Sequence, residues 1–250
     1  MAGEIVKTKG LVLAIHPWSR TSHIVVCLTP DHGCVTTLVK GAVRPKSAFL
    51  GQYDLFYVCD LLYYARAKGD LHALREVTPL NLRDALRGRW RETALAGYAA
   101  GLVRDHAPPS SEAAGWFDFL DGFLESLTPR PDAPPCGLAH LLRLELGFLK
   151  LAGLQPDLSG VDPQTSWTPF AIDLGRCGEG SRTVRLSPAT AAILRRPDAP
   201  PHTYTDEAWS DAIRFLGVFL VYHLNLAPDI RRTLVHLLST RPSTPIPPRP

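Results

Sequence analysis

The chain of 250 residues carries 27 Lys and Arg against 24 Asp and Glu, a formal charge of +3, and is 45% hydrophobic and 20% charged. This composition excludes a disordered polypeptide, and the length suffices for a buried core in one domain or two. So small an excess of positive charge does not by itself name a polyanion as partner. Its spread says more: residues 1–80 hold nine basic side chains against six acidic ones, residues 81–135 six against eight, and residues 136–250 twelve against ten.

The first third reads as strands. GLVLAIH (10–16), HIVVCLT (23–29), CVTTLVK (34–40), LFYVCDLLYYA (55–65) and DLHALREV (70–77) are β-branched or aromatic-rich, punctuated by PWS, PDHG and KGAVRPKSAFLG. PDHG has the composition of a hairpin turn. Five short strands in about 75 residues predict a small closed barrel, since closure removes the exposed edges of short strands. Strand count alone does not separate an OB barrel from an SH3-like one.

After Pro79 the period changes to that of helices. Residues 82–105 place Leu82, Leu86, Trp90, Leu95, Tyr98 and Leu102 on a helical rhythm, and 115–127 does the same with Trp116, Phe119, Leu120, Phe123, Leu124 and Leu127. TPRPDAPP (128–135) interrupts the chain. Residues 137–152 (GLAHLLRLELGFLKLA) are apolar on most sides and predict a central, buried helix. The segment 155–186 has little periodicity and reads as an irregular excursion, ending in a strand at Leu186 and a short helix with Pro188 in its first turn. Helices are expected over 206–226 and 228–238. RPSTPIPPRP (241–250) has the composition of a disordered tail. The domain plan is therefore α+β: a barrel over 1–80, then a helical domain over 81–240.

Little in the sequence suggests catalysis. There is no glycine-rich phosphate loop with its lysine at a strand-to-helix turn. Cys136 and His140 share a helical spacing, but no further ligands follow at a zinc-like interval, and a packed Cys and His is the simpler reading. Ser22–His23 and Asp31–His32 are triad residue types with no local framework around them. Cys27 and Cys59 lie in apolar strands and read as small core residues. Five scattered cysteines without a CxxC pair, with no signal-peptide core and no membrane-length apolar run, fit a reducing, cytoplasmic setting.

The connection VKGAVRPKS (39–47) stands out. Lys40, Arg44 and Lys46 fall within seven residues, Pro45 fixes one backbone angle and Gly41 permits a turn, so three charges are displayed on a semi-rigid loop. Arg20 in PWSRTS, Lys7 and Lys9 on the first strand, and Arg66 and Lys68 after the fourth extend the patch. Such side chains neutralise phosphates by counterion release. A solubilising charged turn accounts for the same residues equally well on charge alone. Of the aromatics Phe56, Tyr57, Tyr63 and Tyr64, alternate ones must point into a barrel, and any outward one is positioned to stack on a base.

At these residues a resemblance appears. Gly10 to Phe56, with the turn HPWSRTS, the TPDHG that ends the second strand and the basic KGAVRPKS connection, closely resembles the start of the RecO family of bacterial recombination mediators. GFLKLAGLQPDLSG and RTVRLSPATAAIL agree with that family in order and length. The resemblance implies an N-terminal OB-fold, a helical C-terminal domain and no enzymatic turnover or cofactor. It also implies binding of single- and double-stranded DNA, annealing of complementary strands, contact with the C-terminal tail of SSB, and work with RecR to load RecA in gap repair, which would place the protein at the nucleoid. Lys40, Arg44, Lys46 and Arg20 are the positions that carry over as DNA-contacting. For the SSB tail, Arg143 and Lys150 beside Leu142, Leu146 and Leu149 are the candidates, although charges at the edge of a core helix explain them too. Many family members hold zinc with four cysteines after the central helix. Here 155–186 contains only Cys177, so a zinc-free member is expected. A protein-binding scaffold and an RNA-binding OB protein remain the alternatives.

Overall fold

In the computed structural model, residues 4–66, 69–128, 136–199 and 203–240 are described. Five strands open the chain: β1 (Glu4–Ser19), β2 (Ser22–Thr29), β3 (Gly33–Val39), β4 (Val58–Ala65) and β5 (Leu71–Asn81). They close into a barrel of order β1-β2-β3-β5-β4. β1 does two jobs along its length. Its first half pairs with β4, from Glu4 opposite Ala65 to Leu11 opposite Val58, and its second half pairs with β2, from Leu11 opposite Leu28 to Ser19 opposite Ser22. A register shift between Val12 and Ala14 lets the strand bend from one partner to the other, as bulges do. The parallel pairing of β3 with β5 completes the closure. This is the OB-fold barrel, and with the helices that follow the class is α+β.

Val12, Val25, Cys27, Val35, Val39, Tyr57, Cys59, Leu61, Tyr63 and Val77 fill the barrel, the inward set that strand alternation selects. Cys27 and Cys59 behave as the small core residues expected of them. Burial raises the Cys27 thiol above its ordinary range and pushes Cys59 up to about 12, so both stay protonated and unreactive at neutral pH.

Two helices, α1 (Trp90–His106) and α2 (Ala114–Ser126), follow the barrel. The helical rhythm of 82–105 extends too far back: Arg83 and Gly88 adopt positive φ, so the chain makes a 3-10 turn at Asp84–Leu86 and enters α1 only at Trp90. The barrel and these helices form one compact unit, Met1–Ala133. Leu11, Leu13 and Leu28 are buried without belonging to the barrel interior; they lie on its outside, where β1 and β2 meet α1 and α2. Cys34 Sγ on β3 approaches the Arg104 carbonyl of α1.

The second unit, Pro134–Pro250, contains α3 (Leu138–Leu151), β6 (Thr168–Ala171), β7 (Arg176–Cys177), β8 (Thr183–Leu186), α4 (Pro188–Arg195), α5 (Asp206–Leu224) and α6 (Pro228–Ser239). As its apolar sequence predicts, α3 is central, with Leu141, Leu142, Leu144, Phe148 and Leu149 all fully buried. The sequence pattern predicts a helical domain here, but this part is not helical throughout. The segment 155–186 contains a three-stranded sheet of order β7-β6-β8, whose strands of two to four residues are too short to show a period. Its far turn is held by Asp173, which accepts hydrogen bonds from the hydroxyl (2.7 Å) and N–H (2.9 Å) of Ser181. Ser187 caps α4 by accepting from Thr190 N–H, with Pro188 in the first turn, and Thr205 caps α5 in the same way.

One buried ion pair ties three helices of this unit together. Glu145 of α3 is wholly inaccessible, and Arg231 of α6 donates to it twice, at 2.7 and 2.8 Å, and once to the Ile213 carbonyl of α5 at 2.9 Å. Gly217 makes room for the guanidinium: a Cβ there would lie 2.6 Å from Arg231 Nη1. The proline-rich 241–250 segment lies outside the described residues.

Candidate nucleic-acid interface

Two pieces of chain meet at the end of the barrel where β1 turns into β2. The β1–β2 turn carries Arg20 and Thr21. The connection from β3 to β4, residues 40–57, starts beside it because His23 is paired with Val39. The two are joined directly: Gly41 N–H donates to Ser22 Oγ (3.3 Å) and Val43 N–H to the Thr21 carbonyl (3.3 Å). Arg20, Lys40, Arg44 and Lys46 are all exposed, and among the described residues none of them makes an ion pair.

The loop that presents three of these cations is pinned rather than free. Ala42 is buried in the barrel end, and Phe49 and Tyr53 pack against the same core. Successive turns run Arg44 N–H to Gly41 O, Ser47 N–H to Arg44 O and Leu50 N–H to Ser47 O. Gly41 has φ +70, the left-handed conformation that suits glycine, and Arg44 folds back over it, its Cδ only 3.2 Å from where a Cβ would stand. Tyr53 Oη meets His23 Nδ1 at 2.9 Å, tying the loop to β2; burial pushes the Tyr53 phenol up to about 12.

The far end of the loop is clamped by two arginines from the start of the helical segment. Arg83, itself buried, donates to the Phe56 carbonyl (2.6 Å) and pairs with Asp121 of α2. Arg87 donates to Asp54 (2.8 Å) and to Tyr57 Oη (2.7 Å). Phe56 and Arg83 are both non-glycine residues at positive φ, so this junction holds backbone strain that the guanidinium contacts stabilise.

Not every cation singled out in the sequence joins this cluster. Lys7 and Lys9 are exposed on the outer side of β1's first half, opposite Leu62 and Asp60 of β4. Arg66 follows Ala65, which pairs with Glu4, and so lies at the other end of β1 from Arg20. Lys68 lies outside the described residues. Of the four aromatics, Phe56, Tyr57 and Tyr63 are buried and serve the core, while Tyr64 is half-buried with Arg75 over its ring, 5.5 Å from the centroid.

Trp18 belongs to this end of the barrel as well. It is 60% exposed, two residues before Arg20. A tryptophan two residues before an arginine, at the end of a strand, is the signal that marks it in the sequence. Hidden from the sequence is the covering of part of the barrel's outside by α1 and α2. OB-folds commonly bind through the face of strands 2 and 3 and the loops around it. Here α1 packs on β1 and α2 on β2, while the turn-and-loop end stays exposed and cationic.

In the second unit, Arg143 sits 3.3 Å from Asp198, and Lys150 is exposed. Leu142 and Leu149 are fully buried and unavailable to a docked peptide. Leu146 is half-buried and lines a cleft with Pro156, Leu158, Leu194 and Arg195. His140 Nδ1 accepts the Gly137 N–H at the start of α3, and Cys136, next to Gly137 in sequence, is buried. The residues of the small sheet do not fit zinc. Its one thiol, Cys177, packs against Gly160, and among the described residues no three His, Cys, Asp or Glu side chains converge. Among the described residues, too, no helix is long and apolar enough to cross a membrane.

Fold and surface thus define an OB-barrel protein with a helical extension, its exposed cations displayed on a braced loop beside the β1–β2 turn. Residues 1–83 match the family model "Recombination protein O N terminal", and residues 87–231 match "Recombination protein O C terminal". The curated relative "DNA repair protein RecO" of Anaeromyxobacter sp. (strain K) is 31% identical, the alignment covering 92% of this chain and 95% of the relative. Proteins of the same name from Syntrophus aciditrophicus and Geobacter metallireducens are 26% and 25% identical over 75% and 77% of this chain, and 73% and 80% of their own. The chain belongs to the RecO family.

Proposed function

We propose that this protein is a non-enzymatic DNA-repair and recombination mediator, which binds single- and double-stranded DNA through the cationic end of its barrel and anneals complementary strands. The observation that carries this reading is the cluster of Arg20, Lys40, Arg44 and Lys46 on two hydrogen-bonded segments, unpaired among the described residues and braced from behind. A loop whose backbone is already held in place loses little freedom when a phosphate arrives. Two strands repel each other; a surface that neutralises their phosphates lowers that barrier, and base pairing then supplies the favourable free energy. No nucleophile or general base is required. Lys7, Lys9, Arg66 and Lys68 are secondary contacts for longer DNA.

In the same reading the protein works on SSB-coated DNA with RecR and so helps RecA to load, a role for a cytoplasmic, nucleoid-associated protein. The SSB tail, acidic and hydrophobic, docks at the exposed side of α3, with its apolar end in the cleft beside Leu146 and its acidic part against Arg143 and Lys150. An Arg143→Glu substitution is expected to weaken binding of an SSB-tail peptide at least several-fold in a titration. Undiminished affinity rejects this docking site.

Gel-shift and annealing assays with matched DNA and RNA oligonucleotides separate the proposal from its rivals. Binding and annealing of DNA support it. A preference for RNA without DNA annealing would make the protein an RNA-binding OB module, and no binding to either would make it a protein scaffold.

A further inference from the structure

Trp18 is one of the most exposed large apolar side chains of the protein, and its placement is specific. The register of β1 against β2 slips between Pro17 and Ser19, so Trp18 falls in the irregularity with no paired residue opposite. Such a bulge re-aims a side chain. Ser19, the next residue, is paired with Ser22, whose hydroxyl accepts the Gly41 N–H at the head of the cationic loop. Trp18 therefore stands at the same barrel end as Arg20, Lys40 and Arg44. Val43, hydrogen-bonded to Thr21, adds a second exposed apolar residue there. A surface that bound only a duplex backbone would have no use for a solvated indole. Aromatic surface interleaved with cations instead matches single-stranded nucleic acid, whose bases are free to stack while its phosphates meet the basic side chains.

We infer that Trp18 is a base-stacking platform that makes this end of the barrel favour single strands over duplex. The inference rests on the cationic loop being a nucleic-acid surface, and the experiment is arranged so that the two can fail separately. Full-length wild type, Trp18→Ala, Trp18→Phe and the triple variant Lys40→Ala/Arg44→Ala/Lys46→Ala are titrated with a single-stranded oligonucleotide, its duplex, and the same single strand with abasic sites. Trp18→Ala should lose roughly tenfold in single-strand affinity, the size of one lost stacking contact, while duplex affinity stays within about twofold and Trp18→Phe keeps most of the binding. On the abasic strand wild type and Trp18→Ala should bind alike, because the base that the indole would meet is gone. The triple variant should weaken on all three nucleic acids.

Loss of single-strand and duplex affinity by the same factor in Trp18→Ala overturns the stacking role, as does a Trp18→Ala penalty that persists on the abasic strand. Wild-type binding by Trp18→Ala beside a weakened triple variant also overturns it and leaves the loop reading standing. A base-dependent loss in Trp18→Ala beside an unaffected triple variant supports stacking and removes the loop. Trp18 is exposed, so matching thermal unfolding of Trp18→Ala and wild type is expected and separates a surface effect from misfolding.

Discussion

Arg44 and Arg231 are the same side chain put to opposite uses. Arg231 is buried, bonded twice to a wholly inaccessible carboxylate and once to a backbone carbonyl, and it holds three helices of the second unit in register. Arg44 is exposed at the barrel end and makes no ion pair among the described residues; a left-handed glycine lies beneath its stem. A guanidinium with its hydrogen-bonding capacity used internally serves stability, whereas one held in place but unpaired is available to a ligand. The difference lies in what surrounds the residue. Nothing in residue type or local charge distinguishes the two.

If that contrast is right, the two regions respond to substitution in different measurements. The largest effect is expected at Arg231→Ala, which strands the Glu145 carboxylate in the core and should cost the fold about 3–5 kcal/mol, read as a lower denaturation midpoint. A change under about 1 kcal/mol would mean that the pair is solvated in solution and that the contrast is false. Gly41→Ala probes the exposed arginine in turn. It forces a Cβ into a positive-φ turn and against Arg44, and should cost about 1 kcal/mol of stability while displacing the guanidinium. Single-strand affinity should fall even where the chain remains fully folded. Intact affinity would show that the pose of Arg44 does not matter.

Much of the fold was legible because its patterns are local. The five strands alternate, PDHG makes the expected turn, and α2 to α6 follow their apolar periods closely, down to Pro188 in the first turn of α4. The failures have physical causes. β1 begins six residues earlier than the apolar run suggests, because Glu4, Lys7 and Lys9 face solvent there and dilute the strand signal. Leu82 and Trp90 kept a helical beat across a stretch whose backbone turns at Arg83 and Gly88. The sheet within 155–186 has strands too short for any period to register.

The candidate site divides in the same manner. Lys40, Arg44, Lys46 and Arg20 were visible as charge, and their convergence follows from β2–β3 pairing, which sequence order only hints at. Lys7, Lys9 and Arg66 extend the patch only on charge; strand register sets them along and at the other end of β1. Leu142 looked like a docking residue because α3 is apolar on most sides, and only packing shows which side is closed. Trp18 was hidden for a simpler reason: in an aromatic-rich barrel, exposure is what distinguishes a platform from a core residue, and exposure is a tertiary property.

The central claim is that the braced loop clamps phosphates. Its most direct test is the salt dependence of single-stranded DNA binding by wild type and the Lys40→Ala/Arg44→Ala/Lys46→Ala variant. Each phosphate contact on a single strand contributes roughly 0.7 to the slope of log K against log salt, so losing three should flatten it by about 2 and lower affinity most at low salt. Thermal stability should be unaltered, since these side chains are exposed. Superimposable salt titrations of the two proteins would show that the loop does not hold phosphates.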